Sequence, residues 1–178
     1  MDSEISEFSY GFSLTHELCN HTLDFLVAAP EFPTQYQEGQ EGGGYDVFIP
    51  DYGYPLFLQF KRAHCLVRGN AREAREDLLS VPYYRFHLYQ NDNYNQNELL
   101  RELEETEDFV FYAAPEFHTP GELTIFFRDK DIAANSAFFR PTDVGELSGE
   151  EKHYIVSDSD ISFAYVCSEL QKIERFDF

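Results

Sequence analysis

The sequence predicts a mixed α/β protein. Three observations carry this. An apolar periodicity of three to four residues runs near the N-terminus, at 9–27. Two strongly apolar runs meet at a tight turn within YDVFIPDYGYPLFLQFKRA, residues 45–63. A second amphipathic stretch, 96–106, leads directly into a third apolar run. Helices interleaved with apolar strands describe a sheet covered by helices.

Each element has a local reason. In 9–27, Phe12, His16 or Cys19, Leu23 and Leu26 recur at helical spacing, Ser13 is a candidate cap, and Pro30 and Pro33 end the helix. The polar, glycine-rich segment 35–44 reads as a short irregular edge strand or a loop. Residues 45–49 and 56–63 are aromatic and branched, and DYGYP between them predicts a hairpin. Residues 69–79 are helical in pattern but highly charged, hence a surface segment. Residues 83–89 alternate as a strand. Leu99, Leu100 and Leu103 give the helix at 96–106 its apolar stripe, and 108–115 is a buried strand. Further on, 123–127, 153–156 and 161–167 read as strands and 132–139 as a short helix.

A chain of 178 residues with 43% apolar and 17% aromatic content builds a packed core. The expected organisation is a core over 1–115 with an insertion at about 64–92, and an extension over 116–178 packed on it. No apolar run approaches the ~20 residues that span a bilayer. Residues 1–7 are acidic, where a secretory signal would be basic and then apolar, so a cytoplasmic location is expected. The three cysteines, Cys19, Cys65 and Cys167, lack metal-ligand spacing and are expected as free thiols.

The net charge is −20, from 33 acidic and 13 basic residues, which is opposite to the usual balance of nucleic-acid binders. Local potential matters more than the total, and a divalent cation offsets acidic groups at a site. Arg68, Arg72 and Arg75 form a basic cluster spaced for one helical face, a candidate phosphate contact; Glu73, Glu76 and Asp77 offer them intrahelical salt bridges instead.

Side chains alternate along 56–61, so Phe57, Gln59 and Lys61 share a face. If Ile49 pairs with Leu56, then Asp46 lies opposite Gln59 on that face; a slip of one residue would send it to the other. A carboxylate, an amide oxygen and an ammonium together suit phosphodiester hydrolysis. Mg²⁺ takes oxygen ligands, here from Asp46 and Gln59, and Lys61 orients water or neutralises developing charge. Glu17, on the first helix, is the candidate third ligand. His118 and His16 are weaker candidates for a site.

With these residues in order, the chain resembles the PD-(D/E)XK nuclease superfamily. Asp46 stands in GGGYDVFIP, and Gln59-Phe60-Lys61 occupies the D/E-x-K position, similar to the Mrr-type branch with its Q-x-K unit. The resemblance spans about residues 9–115. It implies a restriction-endonuclease-like α/β core (helix, three-stranded meander, helix, strand) followed here by a C-terminal α+β extension. It further implies a Mg²⁺- or Mn²⁺-dependent DNA endonuclease of restriction or anti-phage defence, reaching DNA directly or through a partner protein, and cutting as a homodimer. The competing readings are a catalytically inactive interaction subunit with the same fold, and an acidic DNA mimic.

Overall fold

The computed structural model describes residues 1–38, 43–69, 74, 76, 78–88, 90–91, 94–147, 152–158, 162–167 and 170–176. The first helix, α1, runs Glu7–His21, earlier than the periodicity alone indicates. Its cap is Ser6, whose side chain accepts from the Ser9 amide. Thr22 ends it, and a 3₁₀ turn covers Leu23–Phe25. A one-turn helix α2, Gln35–Glu38, follows. The hairpin is β1, Val47–Ile49, and β2, Leu56–Phe60. Their register pairs Val47 with Leu58 and Ile49 with Leu56.

After Phe60 the chain leaves this sheet and begins a second. Strand β3, Ala63–Leu66, pairs with β4, Tyr83–Leu88. A small pair follows, β5 at Gln90–Asn91 and β6 at Tyr94–Asn95. Helix α3, Gln96–Glu104, then returns the chain to the first sheet as β7, Phe109–Pro115, parallel to β2. The charged helix expected at 69–79, with Arg72, Glu73, Arg75 and Asp77, lies mostly outside the described residues.

Two later expectations are corrected. Residues 123–127 lie in helix α4, Pro120–Asp129. Its start has a reciprocal capping box between Thr119 and Glu122, and Pro120 takes the first turn, where its missing N–H is harmless. Residues 136–139 are not helical but form strand β8, Ser136–Phe139, antiparallel to β7. Helix α5, Pro141–Val144, follows, and then β9, His153–Ser157, β10, Phe163–Val166, and β11, Gln171–Glu174.

The sheets therefore have the orders β1-β2-β7-β8 and β11-β10-β9-β4-β3. Residues after 115 supply β8 to the first sheet and three strands to the second, so the sheets run across the boundary expected at residue 115. The upstream edge of β1 is bridged rather than continued as a full strand. Glu31 and Phe48 exchange backbone hydrogen bonds of 2.9 and 2.8 Å, and the Val27 amide donates to the Pro50 carbonyl.

Alternation divides the core by sheet face. Val47, Ile49, Leu58, Phe60, Phe111, Ala113 and Phe138 pack with Tyr10, Leu14 and Leu18 of α1. Phe57, Val110, Tyr112, Ala114 and Phe139 face the other way, onto Leu100 and Leu103 of α3 and onto Phe86, Ile155 and Ala164 of the second sheet. Each Val, Leu, Ile or Phe among them contributes ~1.5–3 kcal/mol when fully buried. Gly11 has a packing reason to be glycine: a Cβ there would stand 2.4 Å from the Phe60 ring. Among the described residues, no helix is long and apolar enough to cross a membrane.

Candidate functional site

The site begins where β1 starts. Gly44 has φ +87°, which glycine adopts freely, and an added Cβ would press on Leu99, Leu100 and the Gln96 carbonyl at 3.1–3.3 Å. This bend ends the regular ladder. The Asp46 amide still donates to the Leu58 carbonyl at 2.8 Å. The next β2 amide, Phe60 N–H, donates instead to Asp46 Oδ2 at 2.7 Å. A carboxylate thus takes the place of a strand carbonyl.

Gln59 lies across from Asp46, as the register requires. Its Nε2 donates to Asp46 Oδ2 at 2.6 Å and to the Phe60 carbonyl at 3.1 Å. The amide orientation follows from these contacts, since the reverse would set two oxygens together. Gln59 is 3% exposed, and its Oε1 has no hydrogen-bond partner among the described residues. A buried orphan acceptor costs ~1–3 kcal/mol.

Lys61 continues the same face. It is 4% exposed, and its backbone amide extends the parallel ladder by donating to the Ala113 carbonyl at 2.8 Å. Its Nζ donates to Gln96 Oε1 at 2.5 Å and lies 5.4 Å from the centre of the Tyr112 ring. A buried ammonium needs such an acceptor, because desolvation is otherwise prohibitive. Beside it, Tyr112 donates to Asn97 Oδ1 at 2.9 Å, and Asn97 Nδ2 donates to the Gly145 carbonyl at 2.7 Å. The first turn of α3 thus fixes both the lysine and the tyrosine.

Glu17 does not join this group. It sits on the opposite side of the sheet, 5% exposed, and accepts from the Ile132 and Ala133 amides at 2.8 and 2.9 Å. It ties α1 to the turn before β8. The α1 carboxylate that shares a cleft with Asp46 is Glu7: a cavity of about 240 Å³ is lined by Glu7, Gly11, Phe12, Phe32, Asp46 and Phe60. Starting the helix at residue 9 left Glu7 out. The signal was Ser6, a cap with Glu7 immediately after it.

His118 pairs with Glu122 at 3.5 Å at the start of α4, and His16 packs against Phe12 and Phe127. Glu122 is held below the usual carboxylate range: burial opposes this, but hydrogen bonds from Thr119 and the 118–119 amides prevail. Cys19, Cys65 and Cys167 are free thiols. Burial pushes the Cys19 and Cys65 thiols up, which makes them poor nucleophiles. Among the described residues, no group of three or more His, Cys, Asp and Glu side chains forms a metal-ligand cluster.

No family model, curated protein or solved structure matches the chain.

Proposed function

We propose that the protein is a metal-dependent DNA endonuclease with a PD-(D/E)XK-type core, its site built on Asp46, Gln59 and Lys61. The observation that carries this reading is the position of the Gln59 amide. Its NH₂ group stands between Asp46 Oδ2 and the Phe60 carbonyl, both oxygens, where a small cation would be held. The orphaned Oε1 is the other half of that amide. With the amide turned to exchange nitrogen for oxygen and the side chain drawn back from its present place, Gln59 Oε1, Asp46 Oδ2 and the Phe60 carbonyl would ligate one cation together. That donor set suits a hard cation such as Mg²⁺ or Mn²⁺, with water completing the shell.

The chain order supports the same reading: α1, the bridged segment near Glu31, the β1–β2 hairpin, and α3 crossing to a strand parallel to β2. The bound metal would supply Lewis acidity and a water of lowered pKa. Asp46 orients the donor set through the Phe60 amide. Gln96 holds the Lys61 ammonium in place, where its charge offsets that developing on a phosphate. Glu7 offers a further carboxylate at the cleft mouth.

The test is cleavage of supercoiled DNA with Mg²⁺ or Mn²⁺. The protein nicks or linearises it, and Asp46→Ala and Lys61→Ala abolish this. Equal cleavage by wild type and both variants would place the activity elsewhere. A second reading, a nuclease-fold subunit without catalysis, is favoured by the same amide contact if Gln59 never releases Asp46. It predicts no cleavage with either metal.

A further inference from the structure

The outer face of the second sheet carries a charge pattern unlike the rest of the chain. A cleft of about 770 Å³ opens there, lined among others by His64 of β3, Arg68, Arg85 and His87 of β4, Lys152 and Tyr154 of β9. Over the whole sequence acidic residues outnumber Lys and Arg by 33 to 13. Among the described residues of this lining, Arg68, Arg85 and Lys152 meet one carboxylate, Asp2. Asp2 is a partial counter-charge, since His64 Nδ1 stands 3.2 Å from its Oδ1, but its side chain is almost fully solvated.

Strand pairing builds the cluster. His64 is registered with Arg85, and His87 with Tyr154, so alternate residues of three neighbouring strands project on one face. At its other end this face is covered by Leu79, Tyr83 and Val156. Tyr154 lies at the centre, with the Arg85 guanidinium 4.8 Å from its ring and the His87 ring 4.7 Å away. A guanidinium against an aromatic ring, with Arg68 and Lys152 in the same lining, supplies the elements of sites that track a phosphodiester strand and stack its bases. In so acidic a chain, such a cluster also focuses a polyanion onto one place.

We propose that this cleft binds an unpaired nucleic-acid strand, with Arg68, Arg85 and Lys152 on phosphates and Tyr154 beside a base. Its volume falls in the ~300–1,000 Å³ of sites that enclose a small ligand, which suits a few nucleotides rather than the girth of a duplex. This goes beyond the nuclease reading, because binding here needs neither metal nor cleavage.

The experiment is fluorescence anisotropy of a labelled 20-nucleotide single strand in EDTA, across a range of NaCl concentrations, with duplex and inorganic phosphate as competitors. Affinity for the strand falls as salt rises, with a log–log slope of about −0.7 per phosphate contacted. Lys152→Gln and Arg85→Gln each weaken binding about tenfold and reduce the slope by about 0.7. Arg128→Gln, on exposed α4, binds as wild type, and EDTA keeps the result independent of the proposed metal-dependent site. Thermal melting checks that each variant is folded. If Arg85→Gln fails to fold, Lys152→Gln decides, because that side chain is exposed. The proposal is overturned if the wild type does not bind the strand, if folded Lys152→Gln binds like wild type, or if duplex or phosphate alone competes more effectively than the strand.

Discussion

Gln59 Nε2 donates to Asp46 Oδ2 at 2.6 Å, across the hairpin from residue to residue, while the other end of the same amide is buried without a hydrogen-bond partner among the described residues. One half of the side chain is strongly satisfied and the other is not. A glutamate at this position would remove the donor and set two carboxylates together in a buried site, where their repulsion disfavours double ionisation.

Gln59→Glu therefore lowers stability in a chelator by about 2 kcal/mol, and the loss is recovered in MnCl₂. The variant also binds Mn²⁺ about tenfold more tightly than wild type, worth ~1.4 kcal/mol. Thermal melts with and without the metal, and calorimetric titration, measure both effects. Identical melts of the variant in chelator and in Mn²⁺ would show that no cation enters between residues 46 and 59.

Lys61 and Gln96 behave as a coupled pair. Gln96→Leu removes an acceptor from a buried ammonium and costs ~1.5–3 kcal/mol. Lys61→Met keeps the volume and removes the charge, so it costs less. The double variant loses less than the sum of the two, by at least ~0.5 kcal/mol in a urea-denaturation cycle. Additive losses would mean that the 2.5 Å contact does not hold the lysine.

The two α1 glutamates separate structure from site. Glu17→Gln keeps one acceptor for two backbone amides and costs ~1–3 kcal/mol, with DNA cleavage unchanged once folded. Glu7→Gln alters stability by less than about 1 kcal/mol, the scale of a first-turn charge, and weakens metal binding. A fall in turnover for folded Glu17→Gln would return that residue to the catalytic set.

His87 gives a pH signature. Burial lowers its pKa, and the charges of Lys152, Lys61, His153 and Arg85 lower it further. The unfolded chain thus takes up this proton at a higher pH than the folded one. The stability contributed by a neutral His87 is fully present above the unfolded value of about 6.5 and is lost as pH falls through the lower folded value. Melting temperatures of wild type therefore drop faster between pH 7 and 5 than those of His87→Gln. Parallel curves would show that this imidazole is not held neutral.

How much of this was legible beforehand depends on the range of the interaction. Alternation in 56–61 put Phe57, Gln59 and Lys61 on one face, and Asp46 joined them only on the condition that Ile49 pairs with Leu56, because register fixes faces. The structure has that pairing. The helix at 96–106 and the strand after it were equally visible, since each carries its own period. Residues 123–127 and 132–139 were misassigned because short apolar runs suit either state; a capping box settled the first and pairing with β7 the second.

The sequence by itself determined that Phe57, Gln59 and Lys61 share a face along 56–61 and that the chain as a whole is strongly acidic; the register that adds Asp46 to that face came from the structure. Only the tertiary structure decided what each polar group meets. Gln96 reaches Lys61 across 35 residues, and Glu17 is drawn to amides 115 residues away, on the other face of the sheet. The cationic cleft likewise exists only because β3, β4 and β9 pair side by side. Periodicity records the direction in which a side chain points; its partner is chosen by packing between segments that no local pattern connects.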